Sequence, residues 1–323
     1  MSQTSSGKDK QVSKAQSRNV SGSGPKKTAP TKAGGRSTST LLTWGAVGVV
    51  ILIVIGLVIY WLSGGKTSTN GGGGGGFQAA PDSLVHQLAH IPANVYDTVG
   101  VTSSATPINP PTKTTGQAPL TFTNSAGVAK PGVLYYGAEY CPYCAAERWA
   151  VVAALSRFGT FSNLGLTASS ATDAFPNTPS FTFVKATMAS ELLAFQGVEA
   201  FGNVQLANGS YPQLQKPTKD QIKTVAKYDT TTYFRNGSNG GIPFISIANQ
   251  FLVSGASYSP SILSGLTREQ IAGGLTDATN PATQAIVATA NYLSAAICTT
   301  TNQQPSAVCT SKGVKAAATA MKL

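Results

Sequence analysis

A Cys-Pro-Tyr-Cys run at 141–144 constrains this chain more than any other feature, because it falls where a strand should hand over to a helix. Upstream lies Pro131-Gly132-Val133-Leu134-Tyr135-Tyr136-Gly137, a short β-branched and aromatic stretch introduced by turn residues. Downstream, Ala145 to Leu155 consists mostly of good helix formers. A cysteine at the first turn of a helix meets unpaired backbone N–H groups and the positive end of the helix dipole. Both favour thiolate, the nucleophile of disulfide exchange. Cys144 follows about one turn later, within reach to close a small disulfide ring, and Pro142 suits the first helical turn, where its missing N–H costs nothing. The arrangement predicts redox chemistry, with Cys141 attacking and Cys144 resolving.

The formal charge of +11 over 323 residues is unevenly distributed. Residues 1–40 carry eight basic side chains against Asp9 alone, and are otherwise rich in Ser, Thr, Gly, Gln and Pro. Such a segment buries too little surface to offset its ordering entropy, and is expected to be a disordered tail. Leu41 to Leu62 follows, twenty-two residues without a charge. As a helix this stretch reaches about 33 Å, enough to cross a hydrocarbon core. Trp44 and Tyr60-Trp61 stand near its ends, as interfacial anchors do. The competing reading is a cleaved signal peptide, whose apolar region runs roughly 7–15 residues before a small-residue cleavage site. The longer run, continued by Trp61-Leu62-Ser63-Gly64-Gly65-Lys66, favours an uncleaved single-pass anchor. The basic excess before the span puts the N-terminus in the cytoplasm and the rest of the chain outside. In that setting four cysteines, an even number, suit disulfides better than metal.

Residues 63–78, with glycine unbroken from 71 to 76, read as a flexible tether, and residues 79–323 as the extracytoplasmic domain. A short amphipathic helix is expected at Ser83–Ile91, and loop at 102–118. Strands are expected at Leu120–Phe122, Val133–Gly137, Leu164–Ser169, Phe181–Lys185, Phe244–Ala248 and Phe251–Gly255. Helices are expected at Cys141–Phe158, Lys219–Lys227, Thr267–Leu275 and Pro281–Ile297, and a tight turn at Asn236-Gly237. The order is strand, helix, strand, an intervening segment at about 186–240, then two strands and a helix. That is the plan of an α/β thioredoxin-like fold with a central insertion and a C-terminal helical extension.

Other chemistries fit the cysteines less well. Zinc needs two more ligands, yet no histidine follows His90, and covalent haem attachment needs histidine where Ala145 stands. A purely structural disulfide at 141–144 staples too little chain to stabilise much. No metal or other cofactor is assigned. Ile242-Pro243 precedes the apolar run Phe244-Ile245-Ser246-Ile247. In thioredoxin-like folds a cis proline at this place lies beside the cysteine pair and leaves the backbone of the residue before it free for an incoming peptide. The alternative is a trans proline opening an edge strand. Candidate catalytic residues are thus Cys141, Cys144 and Pro243, with Ile242, Pro142 and Tyr143 as substrate contacts. Glu139, Glu147 and Arg148 are read as solvated charges beyond a possible tuning effect, and His86 and His90 as a helix face. Cys298 and Cys309 are read as a structural bridge ahead of a second redox centre relaying electrons to the first pair. The basic tail lacks interleaved aromatics, so lipid and topology explain it better than nucleic acid.

Gly137 to Trp149, Ala154 to Phe161, Ile242-Pro243-Phe244-Ile245, Ala290-Asn291-Tyr292-Leu293 and the closing Ile297-Cys298…Pro305…Val308-Cys309 strongly resemble the family called domain of unknown function 929, over roughly residues 82–312. The resemblance implies a membrane-anchored, thioredoxin-like protein of bacteria or archaea, and supplies no substrate. Cys-Pro-Tyr-Cys also looks like the glutaredoxin sequence, from which no glutathione site carries over. The expected function is a membrane-tethered thiol–disulfide oxidoreductase of oxidase or isomerase type. Its partners would be exported polypeptides with thiols or disulfides, and a quinone-linked membrane enzyme that recharges the pair. The alternative is a non-catalytic thioredoxin-like binding or scaffold module braced by the disulfide.

Overall fold

The structure is a computed structural model that describes residues 76–124, 126–234 and 240–323. The basic segment 1–40, the apolar run 41–62, the tether up to residue 75 and the Asn236-Gly237 turn lie outside the described residues. Among the described residues no helix is long and apolar enough to cross a membrane.

Along the chain run β1 (Gln78–Ala79), α1 (Asp82–Ala89), α2 (Ala93–Val99), β2 (Thr112–Lys113), β3 (Thr121–Thr123), β4 (Ala129–Gly137) and α3 (Pro142–Leu155). Then come β5 (Thr160–Ser162), β6 (Gly165–Ala168), β7 (Pro179–Thr182), β8 (Thr187–Ala189), β9 (Ala194–Glu199) and α4 (Lys219–Tyr228). The chain continues through β10 (Phe244–Ile247), β11 (Phe251–Ser254), α5 (Arg268–Gly274), α6 (Pro281–Thr300), α7 (Ser306–Cys309) and α8 (Lys312–Ala320). The class is mixed α/β.

The central sheet has the order β2-β11-β10-β4-β3, with β9 also paired to β4. Among the described residues only the β4–β9 pairing is parallel, from Gly132↔Ala194 to Gly137↔Glu199, so α3 lies in the crossover between two parallel neighbours. β10 runs antiparallel to β4, opposing Phe244 to Tyr136 and Ile247 to Val133. Strand periodicity then divides the core in two. Val133, Tyr135, Ile245, Ile247, Phe251 and Val253 face a large core with α3 and α6. Leu134, Tyr136, Phe244 and Leu252 face the opposite side, with Val225 and Tyr228 of α4. The sheet is therefore covered on both faces, which is why β4 reads as a continuous apolar run.

α3 starts where its sequence says it should. Cys141 is the N-cap, its sulfur accepting the Cys144 N–H, and Pro142 occupies the first turn. The helix is buried nearly all round, with Trp149 fully enclosed and its indole N–H donating to the Pro179 carbonyl at 2.9 Å. The twenty-residue α6, capped by Asn280, packs along it; alanine at 285, 288, 290, 295 and 296 keeps that helix face narrow. Asn291 donates to the Tyr96 and Gly100 carbonyls, tying α6 to α2.

Two expectations change. The segment 186–240 is not an insertion, because β9 is the parallel partner of the cysteine-bearing strand. Leu164–Ser169 and Phe181–Lys185 instead form β6 and β7, which pair with each other and with β1 in a separate three-stranded sheet. β9 (Ala194-Phe195-Gln196-Gly197-Val198-Glu199) hides its nature behind Gly197, a residue that weakens a strand reading. Glycine is needed there because a Cβ would come within 2.6 Å of Phe183 Cβ. The helices α2 and α8, unmarked in the sequence reading, pack together beside α6.

Candidate functional site

The cysteine pair sits at the end of the sheet, in the smaller core, with Tyr136, Ala138, Tyr140, Ile242 and Phe244. Both sulfurs are free thiols. The Cys144 N–H donates to the Cys141 sulfur at 3.3 Å, and the Cys141 thiol donates to the Ile242 carbonyl at 3.7 Å. The Ile242–Pro243 bond is cis. Residues 101 positions apart in sequence thus converge on one sulfur. Pro142 is buried in the first turn of α3, whereas Tyr143 is 40 % exposed and meets Phe175 edge-on. Ile242 and Pro243 are buried.

The electrostatics of Cys141 depart from expectation. A helix N-terminus was expected to lower its pKa; instead burial pushes the thiol well above its ordinary value, and its hydrogen bond with the Cys144 side chain adds to the rise. The Cys144 backbone N–H and the Arg148 guanidinium pull the other way without prevailing. The reason is accessibility: Cys141 keeps only 3 % of its surface and Cys144 none. Desolvation of a thiolate outweighs one N–H and a partial helix charge.

Two of the three flanking charges are also not solvated, while Glu139 is half-buried. Glu147 and Arg148 are both fully buried. Arg148 makes a two-pronged ion pair with Glu199 of β9, Nε to Oε1 at 2.7 Å and Nη2 to Oε2 at 2.6 Å, and Nη2 also donates to the Ala138 carbonyl. Burial alone would strip the guanidinium of its charge, but the Glu199 carboxylate against it keeps Arg148 protonated. Glu147 accepts from the Ser257 N–H and hydroxyl, at 2.8 and 3.0 Å, and burial raises its carboxyl to about 7. Glu139 donates its backbone N–H to the Phe201 carbonyl.

Nothing around Asp229 marks it in the sequence. It caps α4, accepts the Gly240 N–H on its carbonyl and the Ser254 hydroxyl on its carboxylate, and so anchors the turn that leads into Ile242–Pro243. Burial raises its carboxyl to about 7. Glu199 was equally silent, since its partner lies 51 residues away. Arg148 was visible as the residue four past Cys144, but only tertiary structure makes it buried.

Cys298 and Cys309 are bridged, joining the end of α6 to α7 with Cα atoms 5.7 Å apart. His86 and His90 stack at 3.9 Å on the exposed side of α1 and its end.

A strand-to-helix dithiol facing a distant proline turn defines a class of site rather than a named protein. Residues 120–299 match the family described as domain of unknown function (DUF929), and the chain belongs to that family. No curated protein and no solved structure matches it.

Proposed function

We propose that this protein is a thioredoxin-like thiol–disulfide oxidoreductase acting on polypeptide thiols and disulfides through Cys141 and Cys144. The observation that carries the reading is the convergence on Cys141: its sulfur caps α3 and donates to the carbonyl of Ile242, just before the cis Pro243. The strand arrangement supports it: the order β9-β4-β10-β11, with β4 and β9 parallel around α3, is what a thioredoxin-like sheet would require. Cys141 attacks a partner disulfide or is attacked, a mixed disulfide forms, and Cys144 resolves it. Ile242, Pro243 and the exposed Tyr143 border the approach. A membrane anchor at 41–62 and an extracytoplasmic domain, with exported proteins as partners and a quinone-linked membrane enzyme as recharging partner, remain part of this proposal on the sequence argument given above.

The raised pKa of Cys141 bears on direction. A depressed pKa stabilises the dithiol form and makes a strong oxidant, with potentials near −120 mV at the extreme. A Cys141 thiol pushed up by burial lacks that stabilisation of the dithiol form, which argues against a strong oxidant. This turns the reading from oxidase or isomerase towards reductase.

One observation favours a second reading. With 3 % and 0 % of their surfaces exposed, the two cysteines are as buried as core residues, which suits a scaffold that keeps the fold without the chemistry. Mixed-disulfide trapping with Cys144→Ala separates the two. Covalent partners that dissolve with reductant are expected; a trap that stays empty in cells, with Cys141 resisting small alkylating agents, supports the scaffold instead.

A further inference from the structure

Resting on the redox reading above, we infer that Tyr135 supplies the hydrogen bond that stabilises Cys144 as a thiolate when it resolves the mixed disulfide. Tyr135 lies on β4, six residues before Cys141, with its ring in the larger core beneath α3. Among the described residues its hydroxyl is buried and has no hydrogen-bond partner, as is true of the Tyr140 hydroxyl and Arg148 Nη1. Three unpartnered buried donors around one cysteine pair ask for an acceptor that the resting site does not supply.

The acceptor is within reach. A Cβ built on Gly137 would lie 2.6 Å from the Tyr135 hydroxyl and 3.0 Å from the Cys144 sulfur, so the two atoms are within 5.6 Å of each other. Because residue 137 is glycine, no side chain stands between them. Cys144 is fully buried, so water cannot solvate its anion, and the protein must. The titratable groups that face it are Cys141 and Arg148 from its own turn, Tyr135 and Tyr136 from β4, and Tyr140 from the loop before α3, with Glu199 of β9 behind Arg148. Of these, Tyr136 and Tyr140 share the smaller core with the cysteines, and Tyr135 meets Cys144 from the larger core at the gap left by Gly137. Arg148 is occupied on Nε and Nη2, with its Cζ 5.8 Å from the Tyr135 ring centre, where it adds positive potential. Burial pushes the Tyr135 hydroxyl well above its ordinary value, so it stays a donor and not a base.

The resolving step balances without an added reagent. Cys144 loses its proton and its sulfur attacks Cys141, forming the Cys141–Cys144 bond. The bond from Cys141 to the partner sulfur breaks, and that sulfur leaves with the electron pair and takes up the proton that Cys144 has lost. Tyr135 keeps its own proton throughout and donates to the Cys144 sulfur while it is anionic.

The test uses the reduced full chain and an aromatic disulfide reagent, dithiobis(nitrobenzoate). Attack by Cys141 releases one thionitrobenzoate and resolution by Cys144 releases a second. Tyr135→Phe is expected to slow the second release about tenfold, to move its pH midpoint upward and to leave the first release unchanged. Its melting temperature should hold or rise, because an unpartnered hydroxyl has been removed. Gly137→Ala, whose methyl intrudes between hydroxyl and sulfur, should slow the same phase. Equal second phases in wild type and Tyr135→Phe would overturn the inference while leaving the redox reading intact. So would a lowered melting temperature, which would give the hydroxyl a structural partner. Absence of the first release in wild type would remove both.

Discussion

The two cysteine pairs are both buried and both attached to helix ends, yet one is joined and the other free, and their surroundings differ. Cys298 and Cys309 enclose a loop between the end of α6 and α7 and are joined, so their closure restrains the unfolded chain. Cys141 and Cys144 are three residues apart on one helix turn and reduced, where a bond would restrain almost nothing. What surrounds the second pair is also different: a buried arginine, a carbonyl from a distant turn, and hydroxyls without partners. On the proposed reading, burial alone does not separate a brace from a reactive pair; the polar groups held beside the sulfurs do.

The comparison breaks most sharply at Cys141. Cys141→Ser should reduce disulfide exchange to the uncatalysed background, whereas Cys298→Ser with Cys309→Ser should leave the exchange rate per folded molecule unchanged; a thiol–disulfide assay on both variants reads this. Next in size is the ion pair. Arg148→Met leaves Glu199 as an uncompensated buried charge and should cost about 3–5 kcal/mol in denaturant unfolding. Loss of the Cys298–Cys309 bridge should cost about 2–3 kcal/mol by the same measurement, with no change in the potential of the other pair.

The smallest effect is a pH slope. Glu147 titrates at about 7 in the fold against 4.5 ordinarily. The unfolded chain thus releases this proton first, so the stabilisation is fully present below about pH 4.5 and is lost as pH rises through about 7. Asp229, raised from 3.8 to about 7, has the same sign. Unfolding free energy should fall gradually across this window, and Glu147→Gln should flatten its share of the slope.

How much of this was legible depended on sequence distance. β4, α3 and the cap at Cys141 were readable because strand pattern, proline and helix formers lie within twenty-five residues of one another. β10, β11 and α6 were readable for the same local reason. The role of β9 was not, since Gly197 makes it look broken and only the proximity of Phe183 explains that glycine. The site divided in the same way. The cysteines and Ile242-Pro243 announced themselves as motifs, while Glu199 and Asp229 are single acids with nothing around them in sequence to mark them as buried. Cys141 shows the cost of local reasoning most clearly: its helix end argued for a lowered pKa, and enclosure by the smaller core reversed the sign.

The most direct measurement is a redox equilibration of the full chain against graded glutathione or dithiothreitol buffers, with the state of Cys141 and Cys144 read by mass after alkylation. The account predicts that these two residues interconvert reversibly between dithiol and disulfide at a potential below that of a strong oxidant, about −120 mV, while Cys298–Cys309 stays oxidised throughout. A pair that remains reduced across the whole range, or that oxidises only when the protein unfolds, would contradict it.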